Sequence, residues 1–264
     1  MLRTCITIRA TIAAAFTLFP CHAALAQDKA DIRVRVGLGA QIRPEYLGSD
    51  GTEWAPLWDV AVARGSDPFD FEAPDDSFDI KLYSKNGLSF GPAANIASGR
   101  KRSEVGARVE KLSTTVEVGG FVEYEVSDSI RLRTEVRQGI GGHEGLVVSI
   151  GADHVWREGD DYVFSIGPRV LFSDSNYQHA WFGVDSDSAV TSGLPQYRPD
   201  TGIHAVAATG GANYRLSPRW GLFGFGRYER LVGDAAKSPI VREVGSRDQL
   251  SAGAGLAYSF TIRR

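Results

Sequence analysis

Cysteine and methionine are almost absent from this sequence. Of 264 residues, two are cysteine and one is methionine, which excludes a disulfide scaffold, where cysteine exceeds about 8–10%. An excess of positive charge is also lacking, because the formal net charge is −3 and the pI about 6.0. A nucleic-acid-binding protein would carry a basic balance or patch, so we expect no nucleic-acid partner.

Long apolar runs and helical periodicity are also missing. The apolar stretch 10–18 is too short to cross a bilayer as a helix, which needs about 20 residues. No window repeats its apolar residues with the helical period of 3.6. Glycine, by contrast, is abundant at 30 residues, against an ordinary usage of roughly 7%, and aromatic residues make up 10% of the chain. This composition favours an all-β protein with many turns.

The first 26 residues have the layout of a secretory signal peptide. Arg3 and Arg9 supply the positive start, the apolar stretch follows, and small residues at Ala24 and Ala26 precede Gln27. We expect cleavage after Ala26, which would remove 1–26 and leave 27–264 as a single domain. A lipidated Cys21 is the alternative, but bulky Phe19 and Pro20 stand where lipidation sites have small residues.

Alternation with a period of two dominates the rest of the chain. In 31–42, apolar residues at even positions alternate with arginine, glycine and glutamine at odd positions, which predicts a strand with one apolar and one polar face. At this length the strand suits a membrane crossing, which takes about 9–11 residues. Comparable segments occur at 54–63, 87–98, 116–126, 130–137, 146–156, 162–173, 203–214, 220–232 and 250–260, with short, doubtful ones at 68–74 and 78–84.

The connections between these segments alternate between short and long. Outer-membrane barrels have short periplasmic turns and long external loops, and an even strand number returns both termini to the periplasm. The sequence therefore predicts an all-β, antiparallel transmembrane barrel in a bacterial outer membrane, in contact with its lipid. It has twelve strands, or ten if 68–74 and 78–84 do not form strands.

The turn at 127–129 predicts specific cross-strand charge pairs. A three-residue loop places Glu125 opposite Arg131 and Glu123 opposite Arg133, all on the polar face. A slip of one residue would set these charges against apolar side chains. We therefore expect these four residues to form ion pairs in the lumen.

In the C-terminal third, the run 233–241 reads Gly-Asp-Ala-Ala-Lys-Ser-Pro-Ile-Val, and further glycine, serine and aromatic positions follow it. This pattern resembles the MipA/OmpV family of outer-membrane proteins. Shorter matches occur at 44–49, 91–100 and 182–197, so the resemblance extends over the whole mature chain. The signature positions are Gly233, Asp234, Ser238, Pro239, Gly245, Ser246 and Gln249.

The resemblance implies a scaffold, because the member that names the family is described as linking a lytic murein transglycosylase to a peptidoglycan synthase. Two alternatives follow from the sequence and from other members of the family. One is a narrow channel for small solutes through a polar lumen. The other is an adhesin that recognises a surface partner through the long loop 173–202. The aromatic candidates in that loop, which could also fold inward as a plug, are Tyr177, Trp181, Phe182 and Tyr197.

Catalytic and metal-binding patterns are weak. Ser175 or Ser192 with His179 and Asp185 could be imagined as a nucleophile arrangement, but no nucleophile elbow accompanies them. The carboxylates of the same loop lack the spacing of a calcium loop. We therefore expect no enzyme activity, no cofactor and no metal.

Overall fold

The structure, a computed structural model, describes residues 30–101 and 109–263. The predicted signal peptide and its cleavage site lie outside the described residues. Within the described part the dominant element is one antiparallel sheet of twelve strands that curls around a polar interior. The prediction of an all-β antiparallel barrel is therefore confirmed.

Ten of the strands have ten to fifteen residues, the length that the alternating segments predict. The other two are the short strands β3 and β4. The strands are β1 (Ile32–Pro44), β2 (Thr52–Arg64), β3 (Phe78–Asp79), β4 (Tyr83–Lys85), β5 (Leu88–Ala97), β6 (Thr115–Ser127), β7 (Ile130–Ile140), β8 (Leu146–Glu158), β9 (Tyr162–Ser173), β10 (Gly202–Arg215), β11 (Trp220–Leu231) and β12 (Asp248–Ile262).

Neighbouring strands pair in chain order, and β1 pairs with β12 so that the two ends of the chain meet. The edge strands of the sheet are β2 and β3. Counting the antiparallel steps around the sheet, β2 and β3 run in the same direction. At this seam the rings of Trp58 and Phe78 lie 5.3 Å apart between centroids.

The two faces of the sheet differ as the alternation predicts. On β6, Val122 is 53% exposed on the outer face, whereas its neighbour Glu123 is 1% exposed inside. Successive side chains of a strand point to opposite faces, so the apolar set forms an outer belt and the charged set fills the interior. Such an outward apolar band is the surface that a barrel presents to lipid.

The segment 68–74 forms no strand, which corrects the prediction. After β2 the chain turns at Gly65, and 66–77 runs through the interior of the barrel instead of along its wall. We call 66–77 the inner segment. The predicted strand 78–84 is present but interrupted between β3 and β4, where the N–H groups of Ile80 and Leu82 still donate to Pro92 and Phe90. The predicted external connection at 75–77 is likewise part of the inner segment.

Phe223 on β11 points inward, although it shares its face with the charged residues Arg227 and Glu229. It is 9% exposed, and its ring packs over Gly37 and Gly255, where a Cβ would approach it to 2.7 and 2.5 Å. Small residues on the neighbouring strands therefore make room for this ring. The register of β11 is unbroken on both sides.

In the described parts of the long loops there are three short α-helices, where the sequence shows no sustained helical period. They are α1 (Ser175–Phe182), α2 (Ser186–Ser192) and α3 (Pro239–Glu243). Each begins with a capping residue: the side chains of Asp174, Asp185 and Ser238 accept from the first-turn N–H groups of α1, α2 and α3. Within the described residues, no helix is long and apolar enough to cross a membrane.

These helices and loops pack together over one end of the barrel, which we call the cap. Its hydrophobic core is separate from the charged interior and draws residues from four loops and the adjoining strand ends. The opposite end, which we call the short-turn end, carries the tight turns and both ends of the described chain.

Candidate functional site

Arg131 is at the centre of the charged interior. It is 4% exposed and its guanidinium contacts three carboxylates: Asp153 at 2.6 Å, Asp76 at 2.7 Å and Glu123 at 3.1 Å. A buried guanidinium is tolerated only when paired in this way, because taking the charge out of water is costly. The interior around Arg131 is therefore a cross-linked ion-pair network.

Only part of the predicted charge pairing forms ion pairs. The register places Glu123 opposite Arg133 and Glu125 opposite Arg131, as the sequence predicts. Glu123 lies 3.1 Å from Arg133, but Glu125 is exposed at the strand end and has no ion pair with Arg131 in the described part of the chain. The ladder shifts between Glu125 and Ser127, and Arg131 turns instead towards carboxylates deeper in the lumen.

The inner segment supplies two of the carboxylates of this network. Asp75 contacts Arg169 at 2.9 Å, and it also pairs with Arg227. Asp76 contacts Arg131 at 2.7 Å and Arg133 at 3.6 Å. These four arginines lie on β7, β9 and β11, so the two aspartates tie the inner segment to several strands of the wall.

Two aromatic residues, Phe69 and Phe71, hold the first half of the inner segment against the wall. Phe69 is 5% exposed, and the guanidinium carbons of Arg33 and Arg35 lie 4.9 and 5.1 Å from its ring centroid. The ring of Phe71 has the guanidinium of Arg131 at 4.6 Å. Stacking of this kind is favourable when the cation is desolvated, so the segment is bound by its apolar residues as well as by its charges.

The inner segment leaves little space between Asp75, Asp76 and the wall strands β7 to β9. The cavity between the inner segment and the wall measures about 10 Å³ and is lined by Asp75, Asp76, Arg131, Arg133, Glu135 and Arg169 among others. A single water needs roughly 10–15 Å³. The lumen is thus blocked at mid-height in this structure.

Three of the four aromatic residues proposed for surface recognition are buried, and the fourth, Tyr197, is partly buried. Tyr177, Trp181 and Phe182 are 8%, 4% and 0% exposed in the core of the cap. Tyr197 packs against that core, and its hydroxyl donates to the carbonyl of Asp234 at 2.8 Å. Tyr177 and Trp181 are one helical turn apart on α1, so the helix turns this face inward. The loop folds onto the barrel, and Tyr177, Trp181 and Phe182 offer no exposed recognition surface.

The signature residues join the loops of the cap to each other. The hydroxyl of Ser238 donates to the carbonyl of Phe182 at 2.7 Å, and Pro239 is the first residue of α3. Gln249 accepts from the N–H of Gly48 at 3.1 Å and donates to the carbonyl of Ser49 at 3.0 Å. These contacts join Ser238 to α1 and the start of β12 to 45–51.

The remaining signature positions act in the same region. Ser246 donates its N–H to the carbonyl of Gly48 at 2.9 Å. A Cβ on Gly245 would lie 2.1 Å from that carbonyl oxygen, so only glycine fits there. Gly233 has a φ of +57°, and Asp234 pairs with Lys237 at 2.9 Å. The Lys237 ammonium and the N–H of Asp200 hold the pKa of Asp234 below its usual range. All seven positions therefore have structural roles.

Arg100 is a buried cation that sequence reasoning missed. It is 3% exposed, and its guanidinium donates to the carbonyls of Trp181 at 2.6 Å, Glu110 at 3.3 Å and Ala180 at 3.4 Å. Two of these carbonyls belong to the last turn of α1, where a cation is favoured by the helix dipole. Burial lowers the pKa of Arg100 to about 10. Its position in the loop after β5 gave no hint of this role.

A wider recess opens at the short-turn end. This cavity measures about 490 Å³, and five arginines line it with one aspartate: Arg33, Arg35, Arg215, Arg219, Arg263 and Asp160. Arg33 pairs with Asp160, Arg35 with Asp59 and Arg215 with Asp161. Arg219 and Arg263 have no ion-pair partner among the described residues. The recess is therefore basic.

The residues considered for catalysis serve the cap. Asp185 accepts from the N–H of Ser188 at 2.7 Å as the N-cap of α2, a bond that lowers the pKa of its carboxyl. The hydroxyl of Ser192 donates to the carbonyl of Ser188 within the same helix. In residues 30–101 and 109–263, no group of three or more histidine, cysteine, aspartate or glutamate side chains is arranged to hold a metal ion.

Comparison of the sequence with protein families gives one match, to the family described as MltA-interacting protein MipA, over residues 36–260. A comparison with curated proteins finds no match. The family match includes both the wall and the cap, so it extends over almost all of the described structure.

Solved structures similar to this chain are outer-membrane barrels of low sequence identity. An outer membrane channel from Pseudomonas putida F1 is 11% identical, with 92% of this chain and 100% of that chain covered and a TM-score of 0.41. The KdgM porin is 10% identical, with 87% of this chain and 99% of that chain covered and a TM-score of 0.36. The CymD monoaromatic hydrocarbon channel is 9% identical, with 90% of each chain covered and a TM-score of 0.37.

Proposed function

Because the chain belongs to the MltA-interacting protein MipA family and is a barrel of the bacterial outer membrane, we propose that it is a non-enzymatic scaffold. Its partners would be peptidoglycan-remodelling enzymes, a murein transglycosylase and a peptidoglycan synthase, held at the periplasmic end. In such barrels the short turns face the periplasm, so the short-turn end is the periplasmic one and the cap faces outward.

The blocked lumen is the observation that carries this proposal. Asp75 and Asp76 bind four wall arginines, and the cavity beside them measures only about 10 Å³. A barrel built for constant diffusion would keep a continuous aqueous path. This interior resembles a packed core instead, which suits a rigid membrane anchor.

The periplasmic recess supports the proposal from the other side. The periplasmic turns are short, and short turns alone would give a partner little surface to contact. The basic recess of about 490 Å³ supplies a concave surface at that end. Arg219 and Arg263, the two lining arginines without an ion-pair partner in the described chain, are available to acidic groups of a partner.

Affinity purification under mild detergent tests the scaffold. The tagged mature protein should enrich a murein transglycosylase and a peptidoglycan synthase over a control barrel from the same membrane. An Arg219→Ala/Arg263→Ala variant should lose part of this enrichment, whereas Arg230→Ala, an exposed arginine near the cap end of β11, should retain it. Absence of both enzymes from the purified wild type would contradict the proposal.

A gated channel for small solutes is the second candidate. The periplasmic recess and a further cavity of about 290 Å³ under the cap lie on either side of the inner segment. Movement of that segment is therefore what an open path would require. The adhesin alternative has less support, since the four aromatic loop residues on which it depends lie in or against the core of the cap.

A further inference from the structure

The cavity under the cap has the features of a binding site. It measures about 290 Å³, close to the lower end of the usual range for ligand pockets, about 300–1,000 Å³. Tyr46 and Trp181 line it from the cap, and Glu229 and Ser251 line it from the wall strands β11 and β12. Because it lies on the outer side of the blocked mid-lumen, a small molecule could reach it from outside without crossing the barrel.

Unsatisfied polar atoms concentrate beside this cavity. In the described chain, five buried side-chain atoms lack a hydrogen-bond partner, and among them are the hydroxyl of Tyr46, the indole N–H of Trp181 and Nε of Arg100. Tyr46 and Trp181 are each 4% exposed. Arg100 touches both, through its bond to the Trp181 carbonyl and its position 5.8 Å from the Tyr46 ring centroid. Buried polar groups are almost always bonded to protein, water or ligand, so these atoms point to a missing partner.

Charge around the cavity argues against an anionic ligand. Arg43 pairs with Glu53 at 2.9 Å, and Arg227 pairs with Glu229 at 2.5 Å. Both lining arginines are thereby neutralised. Glu45 also lines the cavity, and it has no ion-pair partner within the described residues. Among the residues that line the cavity, an added anion would meet this carboxylate and no unpaired arginine. Arg100 does not line the cavity, and its guanidinium already donates to three backbone carbonyls.

The free groups that remain are hydrogen-bonding groups on aromatic rings. Tyrosine and tryptophan combine an apolar ring with a single polar handle, and the hydroxyl of Ser251 adds a third polar group. From these observations we propose that the cavity binds a neutral polyhydroxylated molecule of about the size of one sugar ring. This site is independent of the scaffold proposal, because it lies at the opposite end of the barrel.

Calorimetric titration of the mature protein in detergent micelles tests the proposal. The probes are four neutral sugars (glucose, galactose, mannose and xylose), with gluconate as the matched anion. At least one neutral sugar should bind and gluconate should not. Trp181→Phe keeps the ring but removes the N–H donor, so it should weaken binding about tenfold, the effect of losing one good hydrogen bond. Trp54→Phe, an exposed residue on the outer face, should leave binding within about twofold.

Tyr46→Phe provides a second test if the Trp181 variant does not fold, as judged from the mobility of the unheated protein in a denaturing gel. It should also weaken sugar binding. The proposal is overturned if none of the four sugars binds or if gluconate binds as well as they do. It is also overturned if sugar binding is unchanged by both the Trp181 and the Tyr46 substitution. Co-purification of peptidoglycan enzymes is measured separately and does not depend on this outcome.

Discussion

Releasing the inner segment should open the lumen, and the structure allows this without breaking the wall. In an Asp75→Asn/Asp76→Asn variant the segment loses the two carboxylates that pair with wall arginines. Each wall arginine that they contact keeps a carboxylate on a strand: Arg169 and Arg131 keep Asp153 at 2.7 and 2.6 Å, Arg133 keeps Glu135 at 2.6 Å and Arg227 keeps Glu229 at 2.5 Å.

The expected size of the effect follows from the bonds that are lost. Asp75 accepts from Arg169, Arg227 and Thr209, and Asp76 accepts from Arg131. A hydrogen bond to a charged group contributes about 1.5–3 kcal/mol. Counting one such net contribution for each aspartate gives about 3–6 kcal/mol, which shifts the closed–open equilibrium by about two to four powers of ten.

Planar bilayer recording is the assay. Wild-type protein should show no steady conductance, and the double variant should show discrete openings. Asp161→Asn is the matched control and should remain closed, because among the described residues Asp161 pairs only with Arg215, at the half-exposed rim of the barrel. Correctly folded double variant that stays as closed as the wild type, with 66–77 equally protected from hydrogen exchange, would refute this reasoning.

Three further outcomes are expected. Arg100→Met should loosen the cap by about 1–3 kcal/mol, because buried carbonyls of α1 lose their donor, and limited proteolysis of the long loops should detect this. Acid should loosen the cap as well, because the pKa values of Asp185 and Asp234 lie below that of an ordinary aspartate. The charge of these carboxylates therefore stabilises the fold above about pH 4, and this contribution is lost as the pH falls through the lowered pKa values. Hydrogen exchange of the cap against pH measures the loss. Gly255→Ala should destabilise the barrel by about 1–3 kcal/mol, measured by unfolding in urea, since its Cβ would lie 2.5 Å from the Phe223 ring.

Each of these has its control. Arg230→Met removes an exposed arginine and should leave proteolysis unchanged. Asp234→Asn should flatten the acid dependence near α3 while leaving that near α2. Gly226→Ala adds a Cβ with nothing within 4 Å and should be neutral. Equal behaviour of a variant and its control would show that the assigned contact does not stabilise the protein.

The wall of this barrel could be predicted because the alternation of apolar and polar residues along each strand is a local sequence pattern. A strand with lipid on one side and charge on the other must alternate, and the register of β6 and β7 follows from the same alternation. The pairing of Glu123 with Arg133 could therefore be read from the turn. The missing ion pair of Glu125 could not, since it depends on the competing carboxylates of Asp76 and Asp153.

The inner segment could not be told from a strand by its pattern. Phe69 and Phe71 alternate with Asp70 and Glu72, the same period that a wall strand shows. What differs is the partner, because these rings stack on arginines and not on lipid. Only the three-dimensional arrangement of the arginines reveals this.

The cap was hidden for a different reason. Its helices have five to eight residues, too few to give a sustained helical period, although their caps at Asp174, Asp185 and Ser238 are recognisable signals. The aromatic residues of α1 are buried by contact with loops far away in the sequence. Their burial is a tertiary effect that no local pattern contains.

Cysteine cross-linking tests the position of the inner segment most directly. Both cysteines lie within the predicted signal peptide, so engineered pairs in the mature chain react without background. A Cβ on Gly211, on the inner face of β10, would lie 2.8 Å from Cγ of Pro74. Pro74→Cys/Gly211→Cys should therefore form a disulfide in folded protein, seen as a mobility shift that reductant reverses. Pro74→Cys/Ala212→Cys, with its second cysteine on the outer face, should not. Failure of the first pair, or equal reaction of both, would contradict a lumen filled by its own chain.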